Sequence, residues 1–385
     1  MSRSWDVFCR VIDNFGDAAV CWRLARQLAT EHAGRVRLRI DSLAALAALN
    51  PEVDADLATQ VVSGVTILKW EAGADFGAPA EIVVEAFGGG LPDSYVDSMA
   101  ARSPAPVWII LEYLSAESWV ATHHGLPSPH PRLRLMRHFF FPGFAPGTGG
   151  VLREAGLERR RQAFVESPAA QAAFWERLGF PPSGAADQAV SLFGYENAAA
   201  AALLDTWSTG GEKVIAAVPR SRLRAQVCGY FGASDPGDGA MLAKGRLEVR
   251  LLPFLAQSDY DELLWACDWN FVRGEDSFVR AQWAQRPFVW HIYPQEAGAH
   301  RIKLDAFLDA YCAGLDPGLT GALRRFWHGW NGPQIPAPGK LRSDWDALAS
   351  ACARMRAHAE AWAARLALRG DLAGNLAQYC EERLK

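Results

Sequence analysis

Short apolar runs rich in β-branched residues recur along this chain, with helix-like segments between many of them. In the first half they are WDVFCRVI (5–12), RVRLRI (35–40), VTILKW (65–70), EIVVEAF (81–87) and VWIILEYL (107–114). Apolar residues at consecutive positions, rather than at every second one, suit strands of a parallel sheet covered by helices on both faces. A helix from about Asp17 to Glu31 follows the first run. Turn residues gather at FPGFAPGTGG (141–150), and helical pieces lie near 154–165 and 168–178. After FPPSGAADQ (180–188) the alternation restarts: AVSLFGYEN (189–197), KVIAAVP (213–219), LEVRLLPF (247–254), DWNFVRG (268–274) and PFVWHIY (287–293). Within this second half DPGDGAMLAKG (235–245) reads as a mobile loop. A third break, NGPQIPAPGK (331–340), precedes an Ala-rich remainder that is helical by propensity.

The expectation is an α/β protein with two Rossmann-like domains in tandem, and 385 residues favour two domains as well. By analogy of fold this is the GT-B glycosyltransferase architecture, two Rossmann-like domains facing a central cleft. The expected division is 1–155 plus a C-terminal helix at about 362–385 for the acceptor domain. A helical linker at 156–186, a nucleotide-sugar domain at 187–345 and a crossover helix at 346–361 complete it.

Composition narrows the function classes. A formal net charge of −4 gives no global basic field for nucleic acid or anionic membrane. No apolar stretch reaches membrane-spanning length, and MSRSWDVFCRVID has no signal-peptide core. Seven cysteines with no C-x-x-C pair read as reduced thiols of a cytoplasmic protein.

The turn in VIDNFGDAAVCWRLARQLA (11–29) has the look of a nucleotide-binding edge, yet it lacks G-x-G-x-x-G and carries Asp13 and Asp17 instead. In NFVRGEDSFVRAQWAQRPFVWHIYPQ (270–295) a strand ends at Arg273 and a helix begins near Asp276 and Ser277. Those two residues are expected as N-cap residues, and the free N–H groups there suit a diphosphate. Arg273, Ser277 and Tyr293 stand near that end; the alternative is a helix that is merely capped. Phe193 and Tyr195, then Phe254, Gln257 and Tyr260, follow strands, where open α/β sheets bind ligands. They either stack on a base or fill the core. Glu112 and Tyr113 stand at the end of the fifth run and line the acceptor side in this reading. His123, His124 and His130 lie in a Pro-rich stretch without metal-like spacing, read as a surface loop. FGGGLP (87–92) lacks the Lys-Ser/Thr of a P-loop.

VIDNFGD, LEYLSAESW, FGYEN and above all RGEDSFVRAQWAQRPFVWHIYPQ resemble the bacterial EarP family, protein-arginine rhamnosyltransferases that act on translation elongation factor P. The resemblance runs from the first strand to the last helices. It implies a GT-B fold and inverting, metal-independent transfer of L-rhamnose from dTDP-β-L-rhamnose, with no cofactor, to an arginine of elongation factor P. By the same resemblance Asp13 and Asp17 are catalytic. Phe193, Phe254, Arg273, Glu275, Asp276, Ser277 and Tyr293 match donor-binding positions, with Gln257 added from the residue reading. An arginine acceptor accounts for carboxylates in the first turn, because guanidinium stays protonated and is gripped by charge-assisted hydrogen bonds. Full deprotonation by a carboxylate would cost roughly 11–13 kcal/mol, so proton transfer concerted with attack is expected. Asp17 or Glu275 serves as base. Two alternatives stay open: a GT-B transferase with another sugar or acceptor, and a non-catalytic nucleotide-sugar or translation-factor binding module.

Overall fold

The computed structural model describes residues 3–12, 15–71, 73–182, 184, 187–295, 298–334 and 339–384. The chain divides into two compact units, Met1–Ala155 with Leu366–Lys385, and Gly156–Arg365.

Unit 1 holds an eight-stranded sheet of β1 (Ser4–Cys9), β2 (Arg35–Ile40), β3 (Thr59–Val62), β4 (Val65–Lys69), β5 (Ile82–Ala86), β6 (Val107–Leu111), β7 (Pro127–Pro129) and β8 (Met136–Phe140). The order is β3-β4-β2-β1-β5-β6-β8-β7. All pairings are parallel except the two edges, β3 on β4 and β7 on β8. Its helices are α1 (Gly16–Glu31), α2 (Leu43–Leu49), α3 (Asp93–Ala101) and α4 (Val120–His123). From β1 the chain builds outward through β2 and β4, then crosses to the other side of β1 for β5, β6 and β8. The reversal between β1 and β5 leaves a crevice beyond the strand C-termini, the usual ligand position of open α/β sheets.

The arginines of RVRLRI are accommodated by charge pairing. Buried Asp6 on β1 accepts Nε and Nη2 of Arg37 at 2.6 Å each, Nε of Arg39 at 3.3 Å and the Ala80 N–H at 3.1 Å. It also accepts the Tyr95 hydroxyl. Arg39 lies over the rings of Phe8, Phe76 and Tyr95. A paired, hydrogen-bonded charge is what a buried strand tolerates.

Unit 2 holds β9 (Gln188–Leu192), β10 (Val214–Val218), β11 (Met241–Lys244), β12 (Leu247–Leu251), β13 (Trp269–Arg273) and β14 (Phe288–His291). The order is β11-β12-β10-β9-β13-β14, parallel except β11 on β12. Here the reversal falls between β9 and β13. The remaining helices are α5 (Leu157–Val165), α6 (Pro168–Arg177), α7 (Ala200–Ser208), α8 (Arg222–Tyr230), α9 (Gln257–Ala266), α10 (Asp276–Trp283), α11 (Ala299–Tyr311), α12 (Pro317–Trp330), α13 (Lys340–Ser350), α14 (Cys352–Ala367) and α15 (Leu372–Arg383), the last of which lies in unit 1. Residues 156–186 and 346–361 belong to unit 2. Phe164 of α5 packs on Trp265 of α9, and the Trp362 indole of α14 donates to Gln282 of α10 at 2.8 Å. Trp207, Trp269, Trp327 and Trp330 are fully buried, so much of the tryptophan content is core.

Three expectations change. DPGDGAMLAKG is a pinned turn leading into β11: buried Arg224 reaches Asp235 at 2.6 Å, Asp238 at 2.5 Å and the Leu252 carbonyl at 2.9 Å. Paired acids, invisible in a Gly/Pro-rich string, hold it. The His123–His130 stretch starts at the last residue of α4 and includes edge strand β7, and His124 Nδ1 meets the Phe141 N–H at 3.1 Å. Finally, Asp276 and Ser277 do not cap α10. Its N-cap is Glu275, without a side-chain cap bond. Ser277 turns back instead: its hydroxyl donates to the Arg273 carbonyl and accepts the Arg273 N–H at 3.0 Å. A Ser Oγ in the first turn of the helix reaches back to the carbonyl four residues before it, here at the end of the preceding strand.

Candidate active site

In unit 1, α1 begins where the β1 turn closes, and its first-turn Asp17 is buried, 2% exposed. Phe15 is the N-cap and makes no side-chain cap bond. Asp17 instead accepts the Ile12 N–H on Oδ2 at 2.8 Å and the Tyr113 hydroxyl on Oδ1 at 3.3 Å. The carboxylate therefore ties the β1 turn to the loop after β6. Tyr113 stacks on Phe87, centroids 4.6 Å apart and planes 16° apart. Phe87 follows β5 and has φ +57°. That left-handed backbone is unusual for an aromatic residue. The Phe87 N–H on the Leu111 carbonyl, 2.7 Å, holds it there. Gly89 packs so closely on Arg10 that a Cβ would lie 3.0 Å from the Arg10 Cβ. Glu112 is half-buried, its N–H on the Phe140 carbonyl at 3.0 Å. Asp13 lies outside the described residues.

In unit 2 the loops after β9, β13 and β14 converge. The Arg273 guanidinium sits 4.7 Å from the ring centroids of both Phe193 and Tyr195. Tyr195 in turn meets Tyr293 and His291 edge-on at 5.4 and 5.3 Å. Tyr293 is 52% exposed and Phe193 is half-buried. The buried Nε of Arg273 and Nδ1 of His291 find no hydrogen-bond partner among the described residues. Burial, then the charges of Arg273 and His300, push His291 down to about 4, so it is neutral at pH 7. Gly274 has φ +61°, and its carbonyl accepts the Trp290 indole at 2.8 Å, which fixes the strand-to-helix turn. Beyond it Glu275 and Asp276 are half-buried at the start of α10. Asp276 receives the amide of Gln257, the first residue of α9, at 3.4 Å. Phe254 is half-buried three residues before Gln257. Tyr260 is buried against Phe193 at 5.5 Å, and burial pushes its phenol far up. It therefore serves as backing for Phe193.

The geometry brings Arg273, Phe193 and Tyr293 into one cluster through Tyr195, and joins Gln257 to Asp276. A cation, a helix N-terminus and exposed aromatic surface at a strand-order reversal suit a nucleoside diphosphate. Phe87 and His291 were not singled out by sequence reasoning. Their only signals were a glycine triplet after an aromatic residue and a lone His inside an apolar run.

The model of the EarP family, elongation factor P rhamnosyltransferases, matches residues 5–381. The chain belongs to the EarP family. It is 44% identical over 376 residues to the protein-arginine rhamnosyltransferase of Pseudomonas aeruginosa, covering 98% of both chains. A solved structure concerned with EarP-mediated arginine glycosylation of translation elongation factor EF-P is 33% identical and superposes with a TM-score of 0.71, over 99% of each chain. Acinetobacter baumannii MurG, 11% identical with a TM-score of 0.50 over 99% of this chain and all of that one, shares the fold alone. The fold is thus the GT-B class of this EarP member. No helix among the described residues is long and apolar enough to cross a membrane.

Proposed function

We propose that this chain moves L-rhamnose from dTDP-β-L-rhamnose to an arginine side chain of translation elongation factor P, with inversion and without a metal ion or other cofactor. Membership of the EarP family along residues 5–381 is the observation that carries this reading. The acceptor guanidinium meets the acidic turn of unit 1. Asp17 is its base and orienting carboxylate, and Asp13 supports the orientation. As a guanidinium nitrogen forms the C–N bond to the anomeric carbon, the bond from that carbon to the diphosphate oxygen breaks. The electron pair leaves with dTDP, and the nitrogen's proton passes to Asp17. The sugar is oxocarbenium-like between the two bonds. Simultaneous transfer avoids a free neutral guanidine, whose formation by a carboxylate is far uphill.

The donor sits in unit 2. Arg273, the first amides of α10 and Tyr293 take the leaving diphosphate, and Phe193 and Phe254 hold the base with Gln257. Ser277, committed to the Arg273 backbone, acts by shaping the turn. Glu275 at the α10 cap holds a rhamnose hydroxyl or is the alternative base. Glu112 and Tyr113 line the acceptor side. Nucleotide sugar and translation factor are both cytoplasmic, which places the reaction there.

The test is intact-mass measurement of unmodified elongation factor P after incubation with enzyme and dTDP-β-L-rhamnose. Parallel samples contain EDTA, UDP- or GDP-sugars, or Asp17→Asn. One deoxyhexose added, insensitive to EDTA and lost in the variant, is expected. Turnover with UDP-sugars only, or binding without turnover, would replace the reading.

A further inference from the structure

The Asp17 carboxylate does not stand alone. We infer that Tyr113 is a positioning residue for Asp17, acting through its phenol, and that Phe87 is the support that aims it. This rests on the reading of Asp17 as the base.

Asp17 is nearly inaccessible, whereas Tyr113, whose hydroxyl meets it, is 36% exposed. Two donors from different loops, the Ile12 N–H and the Tyr113 hydroxyl, take one oxygen each and thereby fix the carboxylate plane. Tyr113 cannot swing freely, because its ring lies flat on Phe87. Phe87 is itself buried and held in the left-handed region by its N–H bond to Leu111. An unfavourable backbone conformation kept at a site edge, with an aromatic ring as its product, is strain spent on placement.

A donor to a carboxylate fixes the direction of the remaining lone pairs. The phenol keeps Asp17 oriented until the guanidinium, with its five donors, arrives. Cys9 of β1 also faces Asp17. Its hydrogen bond to Cys21 and burial hold that thiol well above its usual range, and Asp17 and Asp41 push it further, so it stays neutral. Asp41 receives the Val11 N–H at 3.0 Å.

The experiment compares wild type, Tyr113→Phe and Asp17→Asn by kcat and acceptor KM for rhamnosyl transfer to elongation factor P, from initial rates at varied acceptor concentration. Tyr113→Phe keeps the ring on Phe87, and its thermal melt is checked against wild type. The expected result is a kcat lowered about three- to tenfold with an acceptor KM unchanged within about twofold. Wild-type kcat in Tyr113→Phe, with Asp17→Asn inactive, would overturn the proposal while leaving Asp17 as base. A raised acceptor KM alone would also overturn it, by making Tyr113 a simple acceptor contact. Full activity in Asp17→Asn would instead overturn the reading on which it rests.

Discussion

Arg280 on α10 forks Nε and Nη2 onto the carboxylate of Asp261 on α9, at 2.8 and 2.6 Å, and both side chains are buried. The two helices begin with Asp276 and Gln257, which meet at the proposed donor site. Removing one partner leaves an uncompensated buried charge. Arg280→Met is expected to cost about 3–5 kcal/mol in urea unfolding. Arg280→Met with Asp261→Leu should recover most of that, because a matched apolar pair removes both charges. A double variant as unstable as the single one would show that the fork is not an isolated pair.

Arg273 is expected to dominate donor affinity. Charge-assisted contacts are worth about 1.5–3 kcal/mol, so Arg273→Ala should weaken dTDP binding about ten- to hundredfold in calorimetry. Arg273→Lys should recover little, because the planar group between Phe193 and Tyr195 is what stacks. Affinity for dTDP unchanged in Arg273→Ala would remove the residue from the donor site.

His291 sets a pH dependence of stability. An unfolded histidine titrates near 6.5, whereas in the fold burial and then Arg273 push His291 down to about 4. Between those values the unfolded chain takes up a proton that the folded chain refuses. Stability therefore falls as pH drops through about 6.5 and levels off below about 4, by about 3 kcal/mol for this group. Denaturant titrations at pH 7.5, 6 and 5 should show the slope, and His291→Asn should flatten it. An equal slope in the variant would assign the effect elsewhere.

Trp119 and Ile12 are expected to contact the protein acceptor. They are 42% and 65% exposed on the loops after β6 and β1, the loops that hold Tyr113 and lead into α1. Trp119→Ala should raise the acceptor KM about fivefold or more and leave dTDP affinity unchanged, since aromatic anchors carry interface energy. An unaffected acceptor KM would move the docking face away from this loop.

The strands most legible in the sequence are those buried along their whole length, such as VIAAV and VWIIL. The edge strands β3, β7 and β11 are short and largely exposed, so no apolar pattern marks them. At the site, residue types were legible and directions were not. Arg273 and Tyr293 stand out in their motif, yet the turn of Ser277 toward Arg273 depends on how β13 meets α10. Tyr113 is visible only as a tyrosine after a strand. Its relation to Asp17 arises because β5, carrying Phe87, lies between β1 and β6.

The last helix has a consequence for the order of synthesis. α15 completes unit 1: the Leu372 N–H bonds Val151, Gln27 reaches Asp371, and Tyr379 covers Gly125 with its hydroxyl at 3.0 Å from that carbonyl. Residues 1–155 thus wait for residues 366–385, which are made only after unit 2. Until then Phe140, which packs on Tyr379, lacks its cover. Unit 2 has all its strands in one continuous stretch and is free to close before the unit that precedes it.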